Sequence, residues 1–191
     1  MSVVFKADVG ATDSNSYLTV SEAQDYFDAR TAVAEWDSAA SQEALLMMAT
    51  RVLNAMLSGH KTLIRNPQTG AFYLTSPAWT GAIATTTQAL AWPRTGMYNR
   101  NGVAIASNVV PIELKEATAE LAGQLAKADR TADIDAMVQG ITSVKAGSVA
   151  VTFKDMIDAK VLPDAVWNLM PDSWYTDEIW EPALAASFEV L

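Results

Sequence analysis

The residues best suited to chemistry lie between positions 51 and 110, a stretch without a single Asp or Glu that carries Arg51, Lys61, Arg65, Arg94, Arg100 and the only histidine, His60. Phe72, Tyr73, Trp79, Trp92 and Tyr98 are interleaved with these cations. Aromatic faces that stack on bases, set among cations that pair with phosphate, are the usual means of holding a single nucleic-acid strand. The alternative is that Trp92 is core and the remainder a long connecting loop. Other chemistries find no support. With zero Cys the chain has no thiolate nucleophile, disulfide or Cys-ligated metal. His60 stands alone beside Gly59, where a helix C-terminus would favour its charged form. Asp133 and Asp135 lack further ligands at useful spacing and read as a solvated turn. Glu116 and Glu120, one helical turn apart, read as a solvated helix face rather than an acid–base pair. The nine glycines are scattered and form no phosphate loop. The chain is therefore expected not to be an enzyme, and to need no cofactor and no metal.

Charge is distributed in blocks around this island. The formal net charge is −9, which disfavours nonspecific wrapping of nucleic acid by the molecule as a whole. Residues 1–50 hold eight acids against two bases, residues 111–191 hold fourteen against six, and no base follows Lys160. The C-terminal stretch sets Trp174, Tyr175, Ile179, Trp180, Phe188 and Leu191 among Asp172, Asp177, Glu178, Glu181 and Glu189. Aromatic anchors in an acidic segment suggest a docking tail over 171–191, with folding back onto its own domain as the alternative.

The elements that must position these residues follow from length and period. With 191 residues, 50% hydrophobic and 18% charged, the composition suits one globular domain with extensions. No apolar run is long enough to span a bilayer. The opening Met1–Lys6 lacks signal-peptide character, so cytoplasm, or an assembly built there, is the expected location. Thr19 and Glu22 are spaced as a capping box before a helix over about 20–30. Ser38 or Ser41 can cap a second helix over about 39–58, with Gly59 placed to stop it. Residues 60–87 read as a long inserted loop in which 71–75 could form a short strand. Gln88–Gly96 reads as a structured loop, and Asn99–Gly102 as a tight turn. Pro111 opens a third helix over about 111–128, buried through Leu114, Ala117, Leu121 and Leu125. Alternation over 141–153 predicts a β-hairpin turning at Ala146-Gly147, and a short last helix spans 163–170. The expected class is mainly α: a small helical bundle over 1–170 with one β-hairpin, the inserted loop and a C-terminal extension.

Several of these pieces together resemble a known family. Asp13-Ser14-Asn15-Ser16-Tyr17-Leu18-Thr19, the block Gln88-Ala89-Leu90-Ala91-Trp92-Pro93-Arg94, the Pro111 helix with Ala117 and Glu120, and the lysine-glycine hairpin ending in Val151 are similar to the head-to-tail connector (adaptor, head-completion) proteins of tailed bacteriophages. Members with the Trp-Pro-Arg block often carry the label DnaT-like single-stranded DNA-binding protein. The resemblance implies a homo-oligomeric ring, a dodecamer, between the portal protein and the next neck or tail protein in the virion. Double-stranded genomic DNA would pass through its lumen without sequence-specific contact during packaging and ejection, and no membrane would be involved. The stretch 60–87 is longer than the family's usual link, so its role does not carry over from the resemblance; from the residues themselves, portal docking is expected through Trp174, Tyr175, Ile179, Trp180 and Phe188, a structural role for Trp92, Pro93 and Arg94, and an inter-subunit or lumen loop carrying Lys61, Arg65, Phe72, Tyr73 and Trp79. The alternative function is a single-stranded DNA-binding module in phage replication; a weaker third is an enzyme accessory subunit.

Overall fold

The structure is a computed structural model that describes residues 3–30, 34–59, 62–65, 72–75, 77–127, 143–146, 149–152, 162–176 and 179–180. The fold is built on helices. Helix α1 (Val20–Asp28) starts at the expected capping box: the Thr19 hydroxyl accepts from the Glu22 backbone N–H at 3.2 Å, and the Glu22 carboxylate accepts from the Thr19 N–H at 2.8 Å. Upstream, the Asn15 side chain accepts from the Lys6 N–H and donates to the Val4 carbonyl, both at 2.8 Å, which ties down the N-terminal segment and delivers Tyr17 and Leu18 to the core.

A short helix not expected from the sequence precedes the expected second one. Short α2 (Ala34–Asp37) buries Trp36, whose ring stacks on Phe27 at 4.5 Å and whose indole N–H donates to Gln24 at 2.9 Å. Helix α3 (Gln42–Met56) then starts afresh at Ser41, whose hydroxyl accepts from the Ala44 N–H at 3.1 Å. Gly59 takes a left-handed φ of 77° just beyond this helix, a conformation glycine adopts without strain. Helix α4 (Ile112–Lys127) follows Pro111 and is the centre of the molecule, packed by α1, α2, α3 and the short α5 (Asp164–Trp167). Its Leu114, Ala117 and Leu121 are fully buried as the periodicity predicts.

One residue of α4 departs from expectation. Glu120 is not on a solvated face: it is 2% exposed, accepts from the Tyr26 hydroxyl at 2.9 Å and from Gln124 at 3.0 Å, and pairs with Arg30. A buried carboxylate requires such partners, and the charge of Arg30 from the end of α1 is what makes the site tolerable.

The expected inserted loop over 60–87 contains regular structure. Strands β1 (Thr62–Arg65) and β2 (Phe72–Thr75) form an antiparallel hairpin with Ile64 opposite Tyr73 and Arg65 opposite Phe72. Short β3 (Ala78–Trp79) and β4 (Ala82–Ile83) follow, and β4 pairs with β5 (Arg94–Thr95). The hairpin over 141–153 forms as β6 (Ser143–Ala146) and β7 (Val149–Thr152), but Ala146 pairs with Val149 and is thus a strand residue rather than a turn residue.

Regular structure continues past residue 170, the expected end of the helical domain. Pro171 is the N-cap of a 3₁₀ turn (Asp172–Trp174); β8 (Tyr175–Thr176) then pairs with β3, and β9 (Ile179–Trp180) with β2. Trp174 is 0% exposed. The described residues 171–176 and 179–180 belong with the rest, because the Trp174 indole and strands β8 and β9 complete the core and sheets begun near residue 60.

Candidate nucleic-acid interface

The two aromatic–cation pairs of the acid-free stretch have opposite environments. Trp92 is 1% exposed, with Trp79 edge-on at 5.7 Å and Trp174 tilted across it at 4.8 Å. The Trp92–Pro93 peptide is cis. Arg94 is buried as well, and its guanidinium closes the chain around it: Nε donates to the Thr80 carbonyl at 2.7 Å, Nη2 to Gly81 at 3.0 Å and Nη1 to Ala91 at 3.1 Å. Burial lowers the Arg94 pKa, with nearby Tyr17 acting in the opposite direction. Gly81 must be glycine here, since φ is 64° and a Cβ would lie 2.3 Å from the Thr95 carbonyl oxygen. Beneath the block, the Tyr17 phenol donates to the Asn54 side chain; burial raises its pKa above the ordinary tyrosine range, with the backbone of Trp92 and Ala91 acting in the opposite direction. Gln88 completes the loop, donating to the Leu90 and Pro93 carbonyls at 2.8 and 3.0 Å. Trp92, Pro93 and Arg94 are therefore enclosed and have no face to offer a ligand.

A few residues on, the geometry reverses. Asn99–Gly102 forms the expected tight turn: the Gly102 N–H donates to the Asn99 carbonyl at 3.0 Å, and the Asn99 side chain accepts from the N–H groups of Asn101 at 3.0 Å and Val103 at 2.9 Å. Tyr98 bridges to Ala104 across it. Strand alternation then sends Met97 into the core and Tyr98 out. Tyr98 is 53% and Val103 59% exposed, and Arg100 is exposed at the turn itself. One Arg100 N–H donates to the Asn168 carbonyl at 2.5 Å, and the Trp174 indole donates to the Tyr98 carbonyl at 2.7 Å, so the hairpin is braced from below by the C-terminal region. Among the described residues the ion pairs join Lys6 to Asp13, Arg30 to Glu120 and Lys115 to Glu22, all outside 51–110. Arg51 and Arg100 thus present charge that no described carboxylate pairs with.

The remaining expected site residues divide by place. Trp79 is 9% exposed and packs on Trp92 within its own chain, so it is not a subunit-contact residue of a projecting loop. Trp174, expected as a docking anchor, is core. Half-buried Tyr175 meets Trp167 at 4.8 Å. Arg65, Phe72, Tyr73, Ile179 and Trp180 are placed as strand backbone. His60, Lys61, Phe188, Asp133 and Asp135 lie outside the described residues. Among the described residues no group of three or more His, Cys, Asp or Glu could hold a metal ion, and no helix is long and apolar enough to cross a membrane. Tyr98 and Arg100 were legible in the sequence as members of the aromatic and cationic set, but not as the exposed ones; the signal that could have separated them is the turn at Asn99–Gly102 directly beside them.

Comparison with known proteins corrects the connector identification. The family model described as "Putative DnaT-like ssDNA binding protein" matches residues 1–69 and 63–172. Neither a curated protein nor a solved structure matches the chain. The family match agrees with the label that accompanies the Trp-Pro-Arg block, but it overturns the reading as a head-to-tail connector. With that reading go the dodecameric ring, the portal and neck or tail partners, the double-stranded DNA in the lumen, and the basis for a place in the virion neck. The matched segments cover nearly all of the folded chain, and the protein belongs to the DnaT-like single-stranded DNA-binding family.

Proposed function

We propose that the chain is a non-catalytic module that binds single-stranded DNA through the exposed hairpin around residues 98–104. The observation that carries this reading is the exposure of both Tyr98 and Arg100, two residues apart at one turn in a stretch of sequence without carboxylates. A half-exposed phenol ring can stack on a base, a contact of about 1–3 kcal/mol per base that any base can make. A guanidinium carries five N–H donors, and the one given to Asn168 fixes the orientation of Arg100 while leaving the others for phosphate oxygens. Val103 adds exposed apolar surface to the same turn. The family to which the chain belongs supports single-stranded DNA as the ligand.

Fluorescence anisotropy of a labelled oligodeoxythymidine, titrated with the full chain over a salt series, tests this. Binding should weaken with salt, with a log–log slope of about −0.7 for each phosphate neutralised. The variant Tyr98→Ala/Arg100→Gln should bind at least about tenfold more weakly with unchanged thermal stability. Absence of salt-dependent binding by the parent chain would overturn the proposal.

A further inference from the structure

We propose that Asn101 is a site of spontaneous deamidation, and that the carboxylate left there weakens single-strand binding by the 98–104 turn. The modification site stands on the chemistry of the turn alone; its consequence for binding rests on the function proposed above.

An asparagine deamidates when the main-chain nitrogen of the next residue reaches its side-chain carbonyl carbon, and glycine obstructs that approach least because it lacks Cβ. Asn101-Gly102 is the only Asn-Gly pair in the sequence. Both residues are exposed. Gly102 has a φ of 73°, and a Cβ built on it would meet nothing within 4 Å, so the space around the reacting nitrogen is open. The main-chain N–H of Asn101 is held by Asn99, whereas its side-chain amide has no hydrogen-bond partner among the described residues. One contact restrains the attack: the Gly102 N–H donates to the Asn99 carbonyl at 3.0 Å. A single exposed turn bond contributes little net stability, so its opening slows the reaction without preventing it.

Neighbouring asparagines are better protected. The Asn99 side-chain oxygen accepts two main-chain N–H groups, at 3.0 and 2.9 Å, and the next residue is Arg100, which carries a Cβ. Asn108 precedes the β-branched Val109, and Asn54 lies within α3.

The reaction needs only water. The Gly102 nitrogen gives up its proton and bonds to Asn101 Cγ; the Cγ–Nδ2 bond breaks, and the side-chain nitrogen leaves as ammonia from a cyclic succinimide. Water then opens the ring at either carbonyl, giving aspartate or isoaspartate. Either product puts a negative charge next in sequence to Arg100, within residues 51–110, which otherwise hold no acid. That charge repels phosphate and opposes the attraction that Arg100 exerts on it.

The full chain and Asn101→Gln are aged at mildly alkaline pH and mapped by peptide mass spectrometry, with isoaspartate labelled by an isoaspartyl methyltransferase. The parent should gain the mass of amide-to-acid conversion first at Asn101, and the variant should not. Anisotropy with oligodeoxythymidine then compares fresh parent, Asn101→Asp and Ala44→Glu, the last adding one negative charge at an exposed position of α3 outside the acid-free stretch. At low salt Asn101→Asp should bind about fivefold more weakly than the parent, with the gap closing as salt rises, and Ala44→Glu should stay within about twofold. An intact Asn101 in the aged parent, or conversion appearing first at another asparagine, would overturn the site. Equal affinities for Asn101→Asp and parent, or equal losses for Asn101→Asp and Ala44→Glu, would overturn its consequence while leaving the DNA-binding function intact. Absence of DNA binding by every chain would remove the function and that consequence together, and the mass map would still decide the site.

Discussion

Within a dozen residues this chain places two tryptophan- or tyrosine-plus-arginine pairs of nearly the same composition in opposite environments. Trp92 and Arg94 are enclosed, with every nitrogen of the Arg94 guanidinium bonded to a main-chain carbonyl. Tyr98 and Arg100 stand in the open, braced by the C-terminal region through the Tyr98 carbonyl and one guanidinium nitrogen. The difference teaches that aromatic and cationic composition defines a capacity, and that the backbone decides how it is used. A loop wound around its own side chains uses the pair to hold itself together; a tight turn at the end of a two-residue alternation presents it to a ligand.

The sharpest way to break the comparison is to truncate the enclosed pair. Trp92→Ala should destabilise the fold by about 3–5 kcal/mol, since it removes the ring between Trp79 and Trp174. Ending the chain at Pro171 should have an effect of at least that size, because Trp174 is core; a truncated chain that melts like the parent would move the domain boundary back to 170. Arg94→Met should cost on the order of 3 kcal/mol, as three carbonyls lose a charged donor; chemical denaturation measures all three variants. On the open side, Tyr98→Ala should leave stability within about 0.5 kcal/mol and weaken single-strand binding by about 1–3 kcal/mol. The smallest effect concerns pH. Burial raises the Glu22 pKa, but the hydrogen bonds from Lys115 and Thr19 together with the Lys115 charge outweigh it, so the net shift is downward. A lowered carboxylate pKa contributes stability above the ordinary glutamate range that is lost as pH falls through the folded value. The Glu22 side chain is 41% exposed, which limits the contribution to below about 1 kcal/mol. Lys115→Met should flatten that part of the acid limb in a stability-versus-pH series.

Local rules made much of the fold legible. The capping box at Thr19, the Pro111 helix start and its Leu114–Leu121 stripe, and the Asn99–Gly102 turn all form as spacing dictates, because each depends on neighbours in sequence. What escaped were features decided by distant partners. Trp174 sits among acids, yet the slot between Trp92 and the Tyr98 carbonyl makes it core. Glu120 looks solvated by composition, and only the end of α1, with Arg30 and Tyr26, makes its burial possible. Over residues 62–79 the strand near 71–75 was legible, but turn signals hid β1 and β3, the latter because it pairs with β8 from about a hundred residues away. For the site, sequence offered the right set of residues without saying which of them face solvent.

Photocrosslinking tests the central claim most directly. The full chain is irradiated with a bromodeoxyuridine-substituted single strand, and the crosslinked peptides are mapped by mass spectrometry. The account predicts that the principal adduct falls on Tyr98, that it diminishes as salt rises, and that Trp92 is unmodified. Adducts on Trp92, or adducts confined to residues outside 51–110 with Tyr98 untouched, would contradict it.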